Sequence, residues 1–224
     1  MKVRPGLIVV PPLGARLALT LLFLLTASAA VKAEEALPPC CAEKESAGEA
    51  EGSVYELDAT WTNQHHKQVR LADFKDQPVL LTMGYASCQF ACPRLVADLM
   101  AIERGLTAEQ KKAIRIVFVS IDPQRDTPEK LAAFFKQYNL DQTRWSGLRG
   151  TEDAVLELSV ALGTRYRKID HNDFAHSNRL TLLSPDGVIL HNQEGLGTDP
   201  KEMIAAIRQM LPPYEKAGKA GNAE

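Results

Sequence analysis

Two cysteines four positions apart, Cys88 and Cys92, could carry chemistry as a pair of thiolates or as a disulfide. Apolar residues over 78–85 predict a buried strand that runs into them, and the residues from Pro93 to about Gly105 predict a helix. Because proline favours the first helical position, we expect Cys92 to cap this helix and Cys88 to lie in the preceding loop. The positive end of a helix lowers thiol pKa values, and a thiolate attacks disulfides or binds soft metals. The segment is therefore a candidate reactive or metal-binding site.

A third candidate ligand is His176, which follows a polar segment and precedes a predicted strand over 179–183. If that strand lies in the same sheet as the strand over 78–85 and next to it, it would run beside the two cysteines. Two thiolates and one imidazole form a soft, three-coordinate set that suits Cu(I), with a fourth position available for Cu(II). Zinc could use the same ligands but normally takes a fourth in a structural site. A histidine near a strand end is also commonly structural, so spacing alone leaves a metal site and a redox pair open.

A carboxylate also stands at the end of a predicted strand. Asp122 follows the β-branched, apolar run over 114–121, which is typical of a central strand covered on both faces. The carboxyl ends of strands form the edge where ligands bind in open α/β sheets. The alternative role for Asp122 is to stabilise the loop that leads to the next helix.

The composition excludes some functions. The formal net charge is −2, which gives no electrostatic reason to bind nucleic acid. Four cysteines are too few for a disulfide scaffold in 224 residues and fit dedicated thiol chemistry better.

The N-terminal residues have the layout of an export signal. Basic residues precede an apolar run over 17–31, and small residues offer a cleavage site before Glu34. We expect residues 1–33 to be a signal peptide or an uncleaved membrane anchor, which allows membrane association through the N-terminus. In both cases the rest of the chain lies outside the cytoplasm, and we expect a bacterial periplasmic location.

Two further groups of potential ligands lie outside the predicted core elements. Residues 34–53 read as a flexible tether that contains Cys40-Cys41, either a dispensable thiol pair or an accessory metal-capturing or thiol-exchange site. His65-His66 lie in a predicted turn, where a solvated surface position is favoured over metal binding. Residues 212–224 form a predicted disordered tail.

The predicted elements alternate between strands and helices over 54–211. We expect short strands over 54–60 and 67–71, strands over 78–85, 114–121, 165–169, 179–183 and 188–191, and helices over 93–105, 128–138, 152–162 and 200–210. Ser184-Pro185-Asp186-Gly187 predicts a hairpin turn. This order predicts an α/β, thioredoxin-like sandwich with a mixed central sheet, an N-terminal β-hairpin and helices on both faces.

Three motifs together resemble the SCO/SenC/PrrC family. They are CQFACP at 88–93, DPQRDTP at 122–128, and His176-Ser177 at the matching distance, and the resemblance covers about residues 54–211. The family consists of membrane-associated, thioredoxin-fold copper proteins that help to assemble the CuA centre of cytochrome c oxidase. The resemblance implies that Cys88, Cys92 and His176 are copper ligands.

The same resemblance concerns two carboxylates and one residue of the cysteine loop. Asp122 and Asp126 would lie near the ligands and tune the site or contact the target. Gln89 stands where the family frequently has proline after the first cysteine.

The resemblance favours a copper metallochaperone, which is not an enzyme in the strict sense. It would bind Cu(I) and Cu(II) and pass copper to cytochrome c oxidase subunit II or another copper-acceptor protein, alongside other periplasmic copper or thiol carriers. The alternative is a thiol-disulfide oxidoreductase with Cys88 and Cys92 as its redox pair, which reduces the target's cysteines. A copper or redox sensor and a peroxiredoxin-like peroxidase are further possibilities.

Overall fold

A seven-stranded mixed sheet forms the centre of the fold. The computed structural model describes residues 52–170 and 173–211 of the chain. Its strands are β1 Thr60–Asn63, β2 Gln68–Arg70, β3 Val79–Gly84, β4 Arg115–Ser120, β5 Trp145–Arg149, β6 Tyr166–Lys168, β7 Phe174–His176, β8 Arg179–Leu183 and β9 Ile189–Glu194. Its helices are α1 Ala91–Arg104, α2 Ala108–Ala113, α3 Pro128–Gln137, α4 Glu152–Ala161 and α5 Lys201–Met210.

The strand order in the sheet is β2-β1-β5-β4-β3-β8-β9, and β6 and β7 form a separate two-stranded ribbon. β3 pairs in parallel with β4, and β4 with β5, whereas every other neighbour in the sheet is antiparallel. All six residues of β3 are buried because both faces of this central strand are covered. The mixed sheet that the sequence predicts is confirmed.

Side chains that alternate along the central strands build two cores. Leu80 and Phe118 point to a core that includes apolar residues of α1, α3 and α5. Leu81 and Val117 point to the opposite core, where α4 packs. Helices therefore cover both faces of the sheet, as predicted.

The N-terminal hairpin is shorter than predicted. The expected strand over 54–60 is wrong for its first part, because Val54–Glu56 form a turn of 3-10 helix and β1 begins only at Thr60. Ser53 explains this, since its hydroxyl accepts a hydrogen bond of 3.1 Å from the backbone N–H of Tyr55 and so caps the turn.

The sequence prediction omitted β5, α2 and β7. In β5, Gly147 leaves space for Phe135, whose Cζ would lie 3.1 Å from an added Cβ, and a glycine weakens the strand pattern. α2 has no buried residue and so no apolar face, although Thr107 and Gln110 form a capping box at its start. β7 lies in a segment that polar composition assigned to a loop.

Among residues 52–170 and 173–211, no helix has the length and apolar character that crossing a bilayer requires. The predicted signal peptide or anchor, the Cys40-Cys41 pair and the tail from residue 212 lie outside the described residues.

Candidate metal centre

The first cysteine lies in the loop between β3 and α1, and the second lies in the first turn of α1. The N-cap is Phe90, so the prediction that Cys92 caps the helix is wrong by two positions. Pro93 is tolerated at the third helical position because the N–H that it lacks has no partner within the helix there. The backbone N–H of Cys92 instead donates to Sγ of Cys88 at 3.3 Å. The Cys88 sulfur thus satisfies one of the free N–H groups of the first turn.

The sulfur of Cys92 lies at the floor of the site. Cys92 is fully buried, and its Sγ accepts a hydrogen bond of 3.4 Å from the backbone N–H of Tyr85. Gly84, the last residue of β3, makes room for this sulfur. A Cβ at position 84 would lie 3.0 Å from Sγ of Cys92 and 3.0 Å from the ring of Phe118. The strand therefore ends in the one residue type that lets the sulfur pack against its backbone.

The imidazole of His176 reaches the cysteines from the ribbon of β6 and β7. His176 is the last residue of β7 and is in register with Tyr166 of β6. Its Nδ1 lies 3.0 Å from the backbone oxygen of Ser177. Because a carbonyl oxygen can only accept, Nδ1 carries the proton in the neutral ring, and Nε2 keeps its lone pair for a ligand. That Nε2 atom lies 3.9 Å from Sγ of Cys92.

The structure thus brings together the three ligands that the sequence predicts. The two sulfurs and one ring nitrogen of Cys88, Cys92 and His176 all lie within 4.8 Å of one another. No other group of three or more His, Cys, Asp or Glu side chains in the described ranges has comparable spacing. Two sulfurs and one nitrogen suit a soft ion such as Cu(I), while the metal binding itself stays a prediction.

The two thiols have opposite acidities. The hydrogen bond from the Cys92 thiol is the main cause that lowers the pKa of Cys88 to about 3, and His176 and backbone N–H groups add to it. The hydrogen bond to Cys88, together with burial, raises the pKa of Cys92 well above its usual range. Cys88 is therefore the thiolate of the metal-free pair, and Cys92 holds the proton. Both are free cysteines in this structure.

A hydrogen bond that the sequence did not predict holds the ribbon against β3. The Tyr85 hydroxyl donates to the Asp173 carboxylate and accepts from the backbone N–H of Phe174 at 3.4 Å. The Tyr85 ring packs edge-on against the imidazole of His176, with centroids 6.0 Å apart. Burial, followed by the bond to Asp173, raises the pKa of Tyr85, so its hydroxyl keeps the proton that it donates. Tyr85 and Asp173 are 88 positions apart, and no local sequence pattern links them.

Asp126 lies beneath the loop that carries Cys88. It is fully buried, and its Oδ2 accepts hydrogen bonds from the backbone N–H of Ala86 at 2.8 Å and from the Ser120 hydroxyl at 2.6 Å. Burial is the main cause that raises its pKa. Asp126 therefore braces the start of the cysteine loop from below.

Asp122 contacts Arg125 and not the cysteine loop in the hydrogen bonds and ion pairs of the described residues. It forms an ion pair with Arg125, whose guanidinium carbon lies 6.0 Å from the centre of the Tyr85 ring. Neither Asp122 nor Asp126 joins the group of three ligands in the described residues. Their predicted tuning role stays a prediction.

The two histidines of the first hairpin lie apart from this group. His66 has a left-handed backbone, with φ of 61°, and its exposed Nε2 lies 3.0 Å from the Glu129 carboxylate. Nε2 of His65 lies 3.2 Å from the Gln64 side-chain nitrogen. Both positions fit the solvated turn that the sequence favoured.

Comparison with known proteins gives consistent matches. A family model described as SCO1/SenC matches residues 45–212. The SCO1 protein homolog of Bacillus subtilis is 28% identical over 154 residues, which are 67% of this chain and 79% of that protein. The mitochondrial SCO2 homolog of Bos taurus is 29% identical over 160 residues, which are 66% of this chain but only 59% of the bovine protein.

Solved structures extend the match to the fold. A structure of BsSco, described as a member of the Sco family of cytochrome c oxidase assembly proteins with a disulfide switch, is 26% identical and has a TM-score of 0.61. The alignment covers 71% of this chain and 95% of that one. The copper-bound structure of Bradyrhizobium japonicum ScoI is 22% identical, with a TM-score of 0.59 over 68% of this chain and 97% of that one. The likeness to ScoI is one of fold.

Proposed function

This chain belongs to the SCO1/SenC family, and from that membership and its ligand geometry we propose that it is a copper metallochaperone. The observation that carries the proposal is the convergence of Cys88, Cys92 and His176 within 4.8 Å. Two thiolates and an imidazole prefer soft Cu(I), and Cu(II) can use a fourth, open position. A related fold has been solved with copper bound, which supports copper as the cargo.

The different burial of the ligands gives copper transfer an order. Cys88 is half-buried, whereas Cys92 is fully buried at the floor of the site. An incoming thiolate of an acceptor would add to the bound Cu(I) and replace the sulfur of Cys88, the less buried of the two cysteines, first. His176 and Cys92 would follow, and each ligand that leaves is replaced by one from the acceptor. Copper keeps its oxidation state throughout, and the ion is never free in solution.

The acceptor that the family implies is the CuA site of cytochrome c oxidase subunit II. Its two-cysteine, two-histidine ligand set can accept copper by exchange of like ligands. We place this transfer in the bacterial periplasm, on the basis of the predicted export signal over 1–33.

The asymmetric thiols also favour a second candidate function, reduction of a disulfide in the target. The Cys88 thiolate would attack one target sulfur and form a mixed disulfide, with release of the other target sulfur as a thiolate. The Cys92 sulfur would then attack Cys88, lose its proton to that released thiolate, and free the second target sulfur. Two electrons pass to the target, and a Cys88–Cys92 disulfide remains. The disulfide switch described for BsSco supports this candidate.

A copper titration separates the two candidates. We expect the reduced protein to bind one Cu(I) or one Cu(II) per chain, with a sulfur-to-Cu(II) charge-transfer band. Replacement His176→Ala removes one ligand and should weaken copper binding by at least about tenfold to a hundredfold, since loss of only a hydrogen-bond partner of a ligand already costs that much. His191→Ala, on β9, is the matched control and should bind copper normally.

The opposite pattern would contradict the chaperone. Unchanged copper affinity in His176→Ala, together with rapid turnover of a disulfide substrate, would assign the cysteine pair to thiol exchange instead.

A further inference from the structure

A large aromatic side chain stands exposed at the metal centre. Phe90 lies midway between Cys88 and Cys92, and 86% of its surface is accessible. No residue from Tyr85 to Pro93 carries a formal charge apart from the thiols. Phe90 belongs to neither core, and its position between the two cysteines places it where a molecule that reaches the sulfurs must pass.

A basic groove also borders the centre. An open groove of about 400 Å³ runs beside the imidazole and is lined by Arg165, Tyr166, Arg167, Ala175, His176 and Ser177. This lining contains two guanidinium groups and no carboxylate. Within the described ranges, neither Arg165 nor Arg167 forms an ion pair. Their charges are therefore available to an approaching molecule.

Ligand exchange forces contact with both features. An acceptor's thiolate must come within bonding distance of a copper ion held by Cys88, and the Cys92 sulfur at the floor lies 3.9 Å from His176. A protein that approaches this closely contacts both the loop that carries Phe90 and the groove that His176 lines. Aromatic residues at the centre of such contacts commonly anchor an interface, and charged residues at its rim steer the encounter.

We propose that Phe90 and the Arg165–Arg167 groove form the docking surface for the copper-acceptor protein. The fitting partner has an apolar recess beside its copper-receiving thiolates and carboxylates on the rim. Phe90 fills the recess, and the two arginines pair with the carboxylates. This inference rests on the proposed chaperone function and adds to it the surface through which the partner is recognised.

The test compares copper transfer to a protein with transfer to a small molecule. The full chain is loaded with one Cu(I) and mixed with the reduced, metal-free CuA domain of a bacterial cytochrome c oxidase subunit II. In a parallel reaction the acceptor is the chelator bathocuproine disulfonate, which needs no docking surface. We expect Phe90→Ala to slow transfer to the CuA domain by about tenfold or more, and to leave transfer to the chelator within about twofold of the unmodified protein.

Reversal of the two charges tests the groove. Arg165→Glu/Arg167→Glu should slow protein-to-protein transfer and remove the decrease in rate that added salt causes in the unmodified protein. Two matched controls carry equivalent changes elsewhere. Val160→Ala removes an exposed apolar side chain from α4, and Lys111→Glu/Lys112→Glu reverses two charges on α2, at the opposite end of the sheet. Both controls should transfer at the normal rate.

The outcomes separate this proposal from the function on which it rests. If every variant transfers copper to the CuA domain at the unmodified rate, the docking surface is refuted while the chaperone stands. If Phe90→Ala slows transfer to the chelator as much as to the domain, Phe90 acts on copper release, and the docking role is also refuted. If the unmodified protein transfers copper to the chelator but never to the CuA domain, the proposed delivery to CuA is wrong. The docking surface is then refuted as well.

Discussion

At the scale of single residues, the two sulfurs of the site differ in burial and in protonation. Cys88 is half-buried and accepts hydrogen bonds, whereas Cys92 is fully buried and holds the proton. The identity of each residue explains little of this difference, since both are cysteines and lie only four positions apart. The difference arises from the burial of one sulfur against Gly84 and from the donors that surround the other.

This asymmetry predicts the pH dependence of alkylation in the metal-free, reduced protein. The pKa of Cys88 is lowered to about 3, so its thiolate persists as the pH falls and is lost only near that value. The rate of Cys88 alkylation by iodoacetamide should therefore stay nearly constant from about pH 8 to pH 5, whereas an ordinary thiol slows by about tenfold per unit below its pKa. Mass spectrometry of the labelled peptide measures this rate.

Cys92→Ala is the informative variant for that experiment, because it removes the thiol that donates to Cys88 and puts no other donor in its place; alkylation of Cys88 should then slow at a higher pH than in the unmodified protein. A rate for Cys88 in the unmodified protein that falls steeply between pH 8 and pH 6 would show that the hydrogen bonds do not hold the thiolate.

At the scale of elements, the ribbon of β6 and β7 positions the imidazole. The backbone N–H of Ser177 donates to the Arg165 carbonyl at 2.8 Å, which joins the ends of the two strands beside His176. The Tyr85 hydroxyl then ties β7 to the end of β3 through Asp173 and Phe174. The placement of the third ligand therefore depends on contacts between elements that are distant in sequence.

Replacement Tyr85→Phe should loosen this ribbon. It also removes a hydroxyl that interacts with the Cys88 sulfur, while the backbone N–H that donates to Cys92 stays in place. A lost hydrogen bond to a carboxylate costs about 1.5 to 3 kcal/mol, so we expect faster amide exchange in β7 and copper affinity lower by about tenfold. Hydrogen exchange of residues 173–178 and a copper titration measure the two effects.

Tyr55→Phe is the matched control, because the Tyr55 hydroxyl is buried and has no hydrogen-bond partner among the described residues. It should leave both quantities unchanged. Normal β7 exchange in Tyr85→Phe would mean that strand pairing alone holds the ribbon.

Sequence reasoning succeeded where the signal was local. The buried run of β3, the Thr127-Pro128 start of α3 and the Ser184–Gly187 turn each follow from adjacent residues, and the structure confirms them. It failed for β7, whose residues form a strand only because β6 pairs with them. It also missed the Tyr85–Asp173 contact, for the same reason.

Two different signals in the sequence predicted the three candidate ligands. The Cys88 and Cys92 pair was visible from its position at a strand-to-helix corner. Nothing in the local pattern fixes the distance from His176 to these sulfurs, and the resemblance of three motifs to a known family supplied that link. The structure then placed the ring nitrogen 3.9 Å from the Cys92 sulfur.

At the scale of the whole molecule, the three ligands connect distant parts of the fold. Cys88 and Cys92 lie where β3 meets α1, and His176 lies on a ribbon outside the central sheet. A copper ion bound by all three would link these parts in the native state. In the unfolded chain His176 is 84 positions from Cys92, and the three ligands do not form a site.

Copper should therefore raise the thermal stability of the folded protein. A ligand whose free concentration is about 1,000 times its Kd adds about 4 kcal/mol to the free energy of unfolding. For a chain of this size, that raises Tm by about 8 to 16 °C. Thermal unfolding of the reduced protein with and without one equivalent of Cu(I) measures the shift. Cys40→Ser/Cys41→Ser should retain it, whereas Cys92→Ser should lose it. A shift that depends on Cys40 and Cys41 instead would place the stabilising copper on the N-terminal pair.

The central claim is that Cys88, Cys92 and His176 hold one copper ion together. X-ray absorption at the copper edge of the Cu(I)-loaded protein tests it most directly, because the spectrum distinguishes sulfur from nitrogen ligands. The account predicts two sulfur ligands and one imidazole nitrogen in the unmodified protein, and loss of the nitrogen alone in His176→Ala. A copper ion without sulfur ligands, or a spectrum that His176→Ala leaves unchanged, would contradict the account.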